Sequence, residues 1–211
     1  MKRKYTILIA AVLSLATASA LALAWGLFIG SPTPQVATSG TAAIGGSFTL
    51  VSTKGGTIND RTYRGKWLLI FFDYTFCPDA CPTALNNISV ALEELGPEAN
   101  KLQPLFITVD PRRDTREVMS DYLKSFDSRI VGLTGDEDQI DSVAKEYRVY
   151  VARQRPEGEA DYYLVSHSAY VYLMDPQGKF VNVIHGSEAG EDIAAWLRKE
   201  MSDSNTGRST Q

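Results

Sequence analysis

Cysteine and histidine are scarce in this chain of 211 residues, which holds two of each. Two thiols form at most one disulfide and cannot build a four-cysteine zinc or iron–sulfur site. Only His167 and His185 could add imidazole ligands, so any metal site must be small or must borrow oxygen ligands. Positive charge is also in short supply. The formal net charge is −4, and setting aside Lys2, Arg3 and Lys4 leaves 18 basic against 25 acidic residues, or −7. A nucleic-acid binder needs a basic footprint to neutralise phosphates, and this domain has none to offer. No internal repeat is present. With 44% hydrophobic and 22% charged residues, the composition is that of one ordinary globular domain with accessories rather than a disordered chain.

What the N-terminus does have is a long apolar run. After Lys2-Arg3-Lys4, no charge occurs from Thr6 to Ile29, a stretch longer than the ~20 residues that span a bilayer as a helix. The basic cluster before it keeps the N-terminus in the cytoplasm and sends the rest across the membrane. Ala18-Ser19-Ala20 has the small-x-small form of a signal-peptide cleavage site. A retained anchor is the favoured reading, because the run continues through Trp25-Gly26-Leu27-Phe28-Ile29 well past that site. The short basic leader is bacterial in character, which places the domain on the extracytoplasmic side of the inner membrane, where disulfides form. Residues 31–46 are uncharged and rich in Ser, Thr, Pro, Ala and Gly, the composition of a flexible tether.

The folded domain is expected over residues 47–201. Phe48 to Val51 and the segment around Thr57-Ile58-Asn59 read as a short hairpin about Lys54-Gly55-Gly56. Lys66 to Asp73 reads as a strand buried on both faces. A helix is expected over Cys77 to Leu95, with Leu85, Ile88, Leu92 and Leu95 on one face. Leu105 to Val109 reads as the next strand. Asp114 with Glu117 has the form of a capping box for a helix through about Phe126. A short strand at Ile130 to Leu133 and a helix at Asp136 to Tyr147, capped by Asp136 and Gln139, follow. Val149 to Ala152 reads as a strand, Arg153 to Asp161 as a polar excursion, and Tyr170 to Met174 with Phe180 to Ile184 as a hairpin. Glu188 to Met201 is expected to be the closing helix, followed by a disordered tail over 202–211. This order is an α/β plan with a mixed sheet flanked by helices.

Both cysteines sit in Asp73-Tyr74-Thr75-Phe76-Cys77-Pro78-Asp79-Ala80-Cys81-Pro82, at the carboxyl end of the first long strand, where open α/β sheets place ligands. If Cys77 and Cys81 share a first helical turn, their Cβ atoms are about 5–6 Å apart, wider than the ~3.8 Å typical of a disulfide. A disulfide then requires a loosened turn, and Pro78 and Pro82 favour an irregular helix start. A helix N-terminus lowers thiol pKa and raises metal affinity, and two soft thiolates suit a thiophilic ion such as Cu(I). The plainer alternative is a pair that only stiffens the fold, although so short a loop removes little unfolded-state entropy.

At these residues the chain resembles the Sco/SenC family, membrane-anchored copper chaperones that assist assembly of cytochrome c oxidase. The resemblance covers about 46–200 and rests on separate pieces. These are Gly65-Lys66-Trp67, the Tyr74 to Pro82 run, Val109-Asp110-Pro111-Arg112-Arg113-Asp114-Thr115, Gly132-Leu133-Thr134-Gly135, and His167-Ser168 followed by Tyr172-Leu173-Met174-Asp175. It implies a thioredoxin-like (peroxiredoxin-like) fold with an added N-terminal hairpin, and copper, as Cu(I) or Cu(II), held by Cys77, Cys81 and His167. His167 matches the family's ligand histidine in a long loop ahead of the Tyr170 strand; His185 matches no ligand and is read as structural. The implied partner is the copper-bearing subunit of the oxidase, with other periplasmic copper chaperones or thiol reductants as further partners.

Two positions depart from the family pattern. Asp73 stands where Gly is common, and Ser166 where an Asp commonly precedes the ligand histidine, so both bear on the surroundings of His167. The competing function is a thiol-disulfide oxidoreductase that uses Cys77 and Cys81 to keep the oxidase's copper-ligand cysteines reduced. Its spacer is one residue longer than Cys-x-x-Cys, and His167 has no place in simple disulfide exchange. Peroxidase chemistry and a zinc site from Cys77, Cys81, His167 and His185 are weaker alternatives.

Overall fold

The structure is a computed structural model that describes residues 44–77, 80–154 and 163–206. The chain divides into a unit of Met1–Thr41 and a unit of Ala42–Gln211, and the described residues all belong to the second. The expected membrane anchor over 1–30, most of the tether and the end of the tail lie outside them. Among the described residues no helix is long and apolar enough to cross a membrane.

Nine strands and four α-helices are present among the described residues. In chain order they are β1 (Thr49–Ser52), β2 (Thr57–Asn59), β3 (Trp67–Asp73), α1 (Ala80–Glu94), β4 (Leu102–Thr108), α2 (Arg116–Leu123), β5 (Val131–Thr134), α3 (Glu137–Glu146), β6 (Val151–Gln154), β7 (Leu164–His167), β8 (Tyr170–Met174), β9 (Phe180–His185) and α4 (Gly190–Thr206). A 3-10 turn at Gly96–Lys101 links α1 to β4. Seven strands form one sheet in the order β2-β1-β5-β4-β3-β8-β9. β3, β4 and β5 run parallel at its centre, while β1, β8 and β9 add antiparallel strands.

Strand β3 is buried along its whole length because its two faces meet different helical layers. Trp67, Leu69 and Phe71 pack with Leu85, Ile88 and Leu92 of α1, Met119 and Leu123 of α2, and Ile193 and Leu197 of α4. Leu68, Ile70 and Phe72 pack with Leu50 of β1 and with Ile140, Val143 and Ala144 of α3. This two-sided burial explains why β3 reads as a continuous apolar run rather than as an alternation. The N-terminal hairpin forms as expected. Gly55 and Gly56 take φ of 92° and 73°, values that side chains disfavour. The hairpin extends the sheet through Val51 and Ser52, which pair with Thr134 and Leu133.

Several local expectations shift. Helix α1 starts at Ala80 rather than Cys77, consistent with Pro78 disfavouring helical backbone at the residue before it. Cys77 therefore lies in the turn ahead of the helix. Asp114 is not the N-cap of α2. Thr115 caps it, its side chain accepting from the Val118 N–H, and Asp114 turns inward. The α3 capping box forms as expected, with the Asp136 side chain accepting from Gln139 N and the Gln139 side chain reaching back to Asp136 N. Helix α4 continues to Thr206, so the polar segment after Met201 begins as helix. Strands β6 and β7 make a separate two-stranded sheet. His167 is the last residue of β7 and pairs with Val151, so it stands on a hairpin strand and not in a long loop.

Candidate metal centre

The site is assembled from the carboxyl end of β3, the turn that follows, and the end of β7. Asp73 closes β3 and is fully buried. Its Oδ1 accepts from the Tyr74 N–H at 2.8 Å. The chain then turns back, with the Cys77 N–H donating to the Tyr74 carbonyl at 3.3 Å. Cys77 is half-buried and packs against the core on the α3 side of the sheet. It is disulfide-bonded, and the sequence holds one other cysteine, Cys81. Cys81 lies in the first turn of α1.

His167 arrives at this turn from β7. Its side chain is only 7% exposed and meets the Tyr74 ring edge-on, centroids 5.8 Å apart. Nδ1 lies 3.4 Å from the Val165 carbonyl. Nε2 lies 3.1 Å from Asp73 Oδ1. That distance is short, but the pair is not aligned as a hydrogen bond, and Nε2 is buried with no hydrogen-bond partner. Burial pushes the Asp73 carboxyl above its ordinary range, against the lowering effect of His167 and the Tyr74 N–H. For His167, burial is the largest single influence and disfavours the imidazolium. The attraction of the nearby Asp73 carboxylate, together with the Val165 carbonyl, outweighs it and raises the imidazole. The structure thus brings the turn carrying Cys77 and the imidazole of His167 together. Ser166 pairs with Ala152 along the hairpin. His185 is exposed, with Nδ1 2.7 Å from Ser187 Oγ and its ring against Tyr170.

A buried polar network braces both halves. Asp114 Oδ2 accepts from the Thr75 N–H at 3.0 Å and from Thr108 Oγ1 at 2.7 Å, and its Oδ1 accepts from Thr75 Oγ1. Burial raises the Asp114 carboxyl despite these three bonds. Thr108 Oγ1 also accepts from the Asp110 N–H at 2.9 Å. Asp110 accepts from Arg113 Nε and, at 2.6 Å, from the Tyr163 hydroxyl. Arg113 Nη1 donates to the Tyr163 carbonyl at 3.1 Å. Its guanidinium carbon stands 3.9 Å from the Tyr163 ring centroid, 5.0 Å from Phe76 and 5.6 Å from Tyr74. Arg113 therefore joins the cysteine turn to the start of the hairpin strand that carries His167. The Asp110-Pro111-Arg112-Arg113-Asp114-Thr115 segment was visible in sequence as a family piece. Its bracing role was not, because Asp114 there carries the signature of a helix cap.

Comparisons with known proteins show the family and the fold. The SCO1/SenC family model matches residues 36–202. Protein sco1 of Schizosaccharomyces pombe is 40% identical over 161 residues, covering 75% of this chain and 61% of that protein. The chain spans only about half to three fifths of the first curated relatives, 54% in the human SCO1 homolog. Among solved structures, Bradyrhizobium japonicum ScoI with copper bound is 44% identical, covers 75% of this chain and 99% of its own, and superposes with a TM-score of 0.69. Yeast Sco1 with copper bound is 34% identical, covers 80% and 95%, and gives 0.71. The fold they share with this chain is the thioredoxin-like one, a mixed sheet flanked by helices.

Proposed function

Because the chain belongs to the SCO1/SenC family, we propose that it is a copper-binding metallochaperone that assists assembly of the binuclear copper site of cytochrome c oxidase. In this reading copper is cargo, held by Cys77, Cys81 and His167 and passed to the copper-bearing oxidase subunit. The observation that carries it is the convergence of the Cys77 turn and His167 across Tyr74, with an imidazole nitrogen buried and lacking a hydrogen-bond partner. A buried polar atom of this kind costs free energy unless something binds it. Two thiolates and one imidazole make a three-coordinate set suited to Cu(I), and with a further ligand to Cu(II). Cys81 in the first turn of α1 stands where a helix N-terminus favours thiolate. Copper is carried over from relatives described with it bound.

The apolar run within residues 1–30 anchors the protein by a single pass through a bacterial inner membrane, N-terminus in the cytoplasm. Residues 31–46 are the tether and the domain faces the periplasm. The test is Cu(I) titration of reduced wild-type, Cys77→Ala, Cys81→Ala and His167→Ala full-length protein against a chromophoric Cu(I) chelator. Near-stoichiometric binding by wild type and its loss in all three variants is the expected result. Copper retained in full by His167→Ala would refute the site as drawn.

One observation favours a second reading. Cys77 is disulfide-bonded, the state that a thiol-disulfide oxidoreductase passes through while reducing the oxidase's copper-ligand cysteines. Reductase turnover by the His167→Ala protein at the wild-type rate would favour that role.

A further inference from the structure

We propose that Asp73 supplies an oxygen ligand to copper beside His167, and that this carboxylate biases the site toward Cu(II). The inference rests on the copper reading above and adds a ligand where the family commonly has Gly.

The geometry comes from two atoms. Asp73 Oδ1 and His167 Nε2 stand 3.1 Å apart, and both side chains are nearly sealed from solvent, at 1% and 7% exposure. The Val165 carbonyl lies 3.4 Å from Nδ1; in the neutral tautomer that carries its hydrogen on Nδ1 toward this carbonyl, Nε2 presents a lone pair for a metal ion. A lone pair and a carboxylate oxygen this close repel unless a proton or a metal ion lies between them, and copper would take the place of the proton. Two N and O ligands at about 2.0–2.1 Å from one metal ion, subtending about 90–110°, are about 2.8–3.4 Å apart. The observed spacing falls in that window. The carboxylate is also fixed in place, since the Tyr74 N–H donates to the same Oδ1 at 2.8 Å. The turn that follows folds back so that the Cys77 N–H donates to the Tyr74 carbonyl, next in sequence to Asp73.

The chemistry gives the direction of the bias. Thiolates are soft and suit Cu(I), whereas a carboxylate is a hard ligand and a tetragonal N,O environment suits Cu(II). Adding Asp73 to two thiolates and an imidazole completes a four-ligand set that Cu(II) uses fully and Cu(I) does not need. Ser166, standing where the family commonly has Asp, cannot supply that charge, and Asp73 puts a carboxylate beside the imidazole.

The experiment uses the reduced full-length protein, with Cu(I) and Cu(II) affinities measured by separate chelator competitions for wild type, Asp73→Asn and His167→Ala. In Asp73→Asn, Cu(II) affinity should fall about 10- to 100-fold while Cu(I) affinity stays within about threefold, and the Cu(II) electron paramagnetic resonance spectrum should change. His167→Ala should weaken both ions. A parallel loss of both ions in Asp73→Asn, or no loss of either, overturns the proposal. Wild type that binds neither ion overturns the copper reading and this inference with it. A readout that needs no variant is pulsed electron paramagnetic resonance of Cu(II)-loaded wild type carrying 13C in its aspartate side-chain carboxyl groups. A 13C coupling of ligand strength is expected, and its absence refutes ligation even if Asp73→Asn fails to fold.

Discussion

Replacing Asp114 tests whether the buried network, rather than the helix-cap pattern, accounts for this residue. Its two oxygens accept three hydrogen bonds, from the Thr75 N–H, the Thr75 hydroxyl and the Thr108 hydroxyl, and the residue is fully buried. Hydrogen bonds to a charged group are worth about 1.5–3 kcal/mol each. Hydroxyls can rotate toward other acceptors, and the carboxylate carries a burial penalty that raises its pKa, so the full sum is not realised. Asp114→Ala should cost about 3–4 kcal/mol, since each stranded buried donor costs about 1–3 kcal/mol and more than one is stranded. Asp114→Asn should cost about 1 kcal/mol, because the amide oxygen can keep the Thr75 N–H and Thr108 bonds while its NH2 donates to a reoriented Thr75 hydroxyl. The assay is urea unfolding followed by circular dichroism, with the Cys77 disulfide intact in every variant so that the unfolded states match.

The pH dependence of the same pair has a definite sign. The folded carboxyl titrates above its ordinary 3.8, so between that value and the raised one the folded state binds more protons than the unfolded. Stability from this group therefore falls as pH rises through that window. The advantage of wild type over Asp114→Asn should be largest below about pH 4 and shrink as pH rises. Equal costs for the Ala and Asn variants, or an Ala variant as stable as wild type, would refute the reasoning.

Further outcomes follow from other contacts. Arg113→Ala should cost about 2–4 kcal/mol, because it leaves the buried Asp110 without its guanidinium. Arg113→Lys should not restore that loss, since an ammonium lacks the planar fork and the stacking on Tyr163; thermal unfolding of the three proteins checks both statements. Gly132→Ala should cost about 1–3 kcal/mol: a Cβ there would lie 2.6 Å from Thr53 Cγ2 and 2.8 Å from Leu123 Cδ1. Denaturant midpoints unchanged by this substitution would mean that the surroundings of β5 are looser than its packing indicates. Asp136→Ala, which removes the capping-box acceptor of α3, should cost about 1 kcal/mol, read from the same unfolding curves.

Much of this protein was legible in its sequence because the forces concerned are local or repeat with a period. The apolar run of β3, the Gly55-Gly56 turn and the Asp136/Gln139 capping box each depend on neighbours within a few residues, and each formed where the pattern placed it. The cysteine turn was legible for the same reason, and Pro78 beside Cys77 explains why the helix begins later than the apolar spacing suggested. Tertiary structure decided the rest. Asp114 carries a cap signature, yet a buried pair of Thr75 bonds outweighs the single bond a cap would offer, and Thr115 takes the cap instead. His167 owes its position to pairing of β7 with β6, which no local periodicity encodes. The approach of Asp73 to His167 joins the ends of two strands far apart in the chain. Each residue was a visible departure or candidate by itself. Only the packing of the hairpin over the end of β3 sets an acid beside an imidazole in a space with little water, where that pairing has chemical weight.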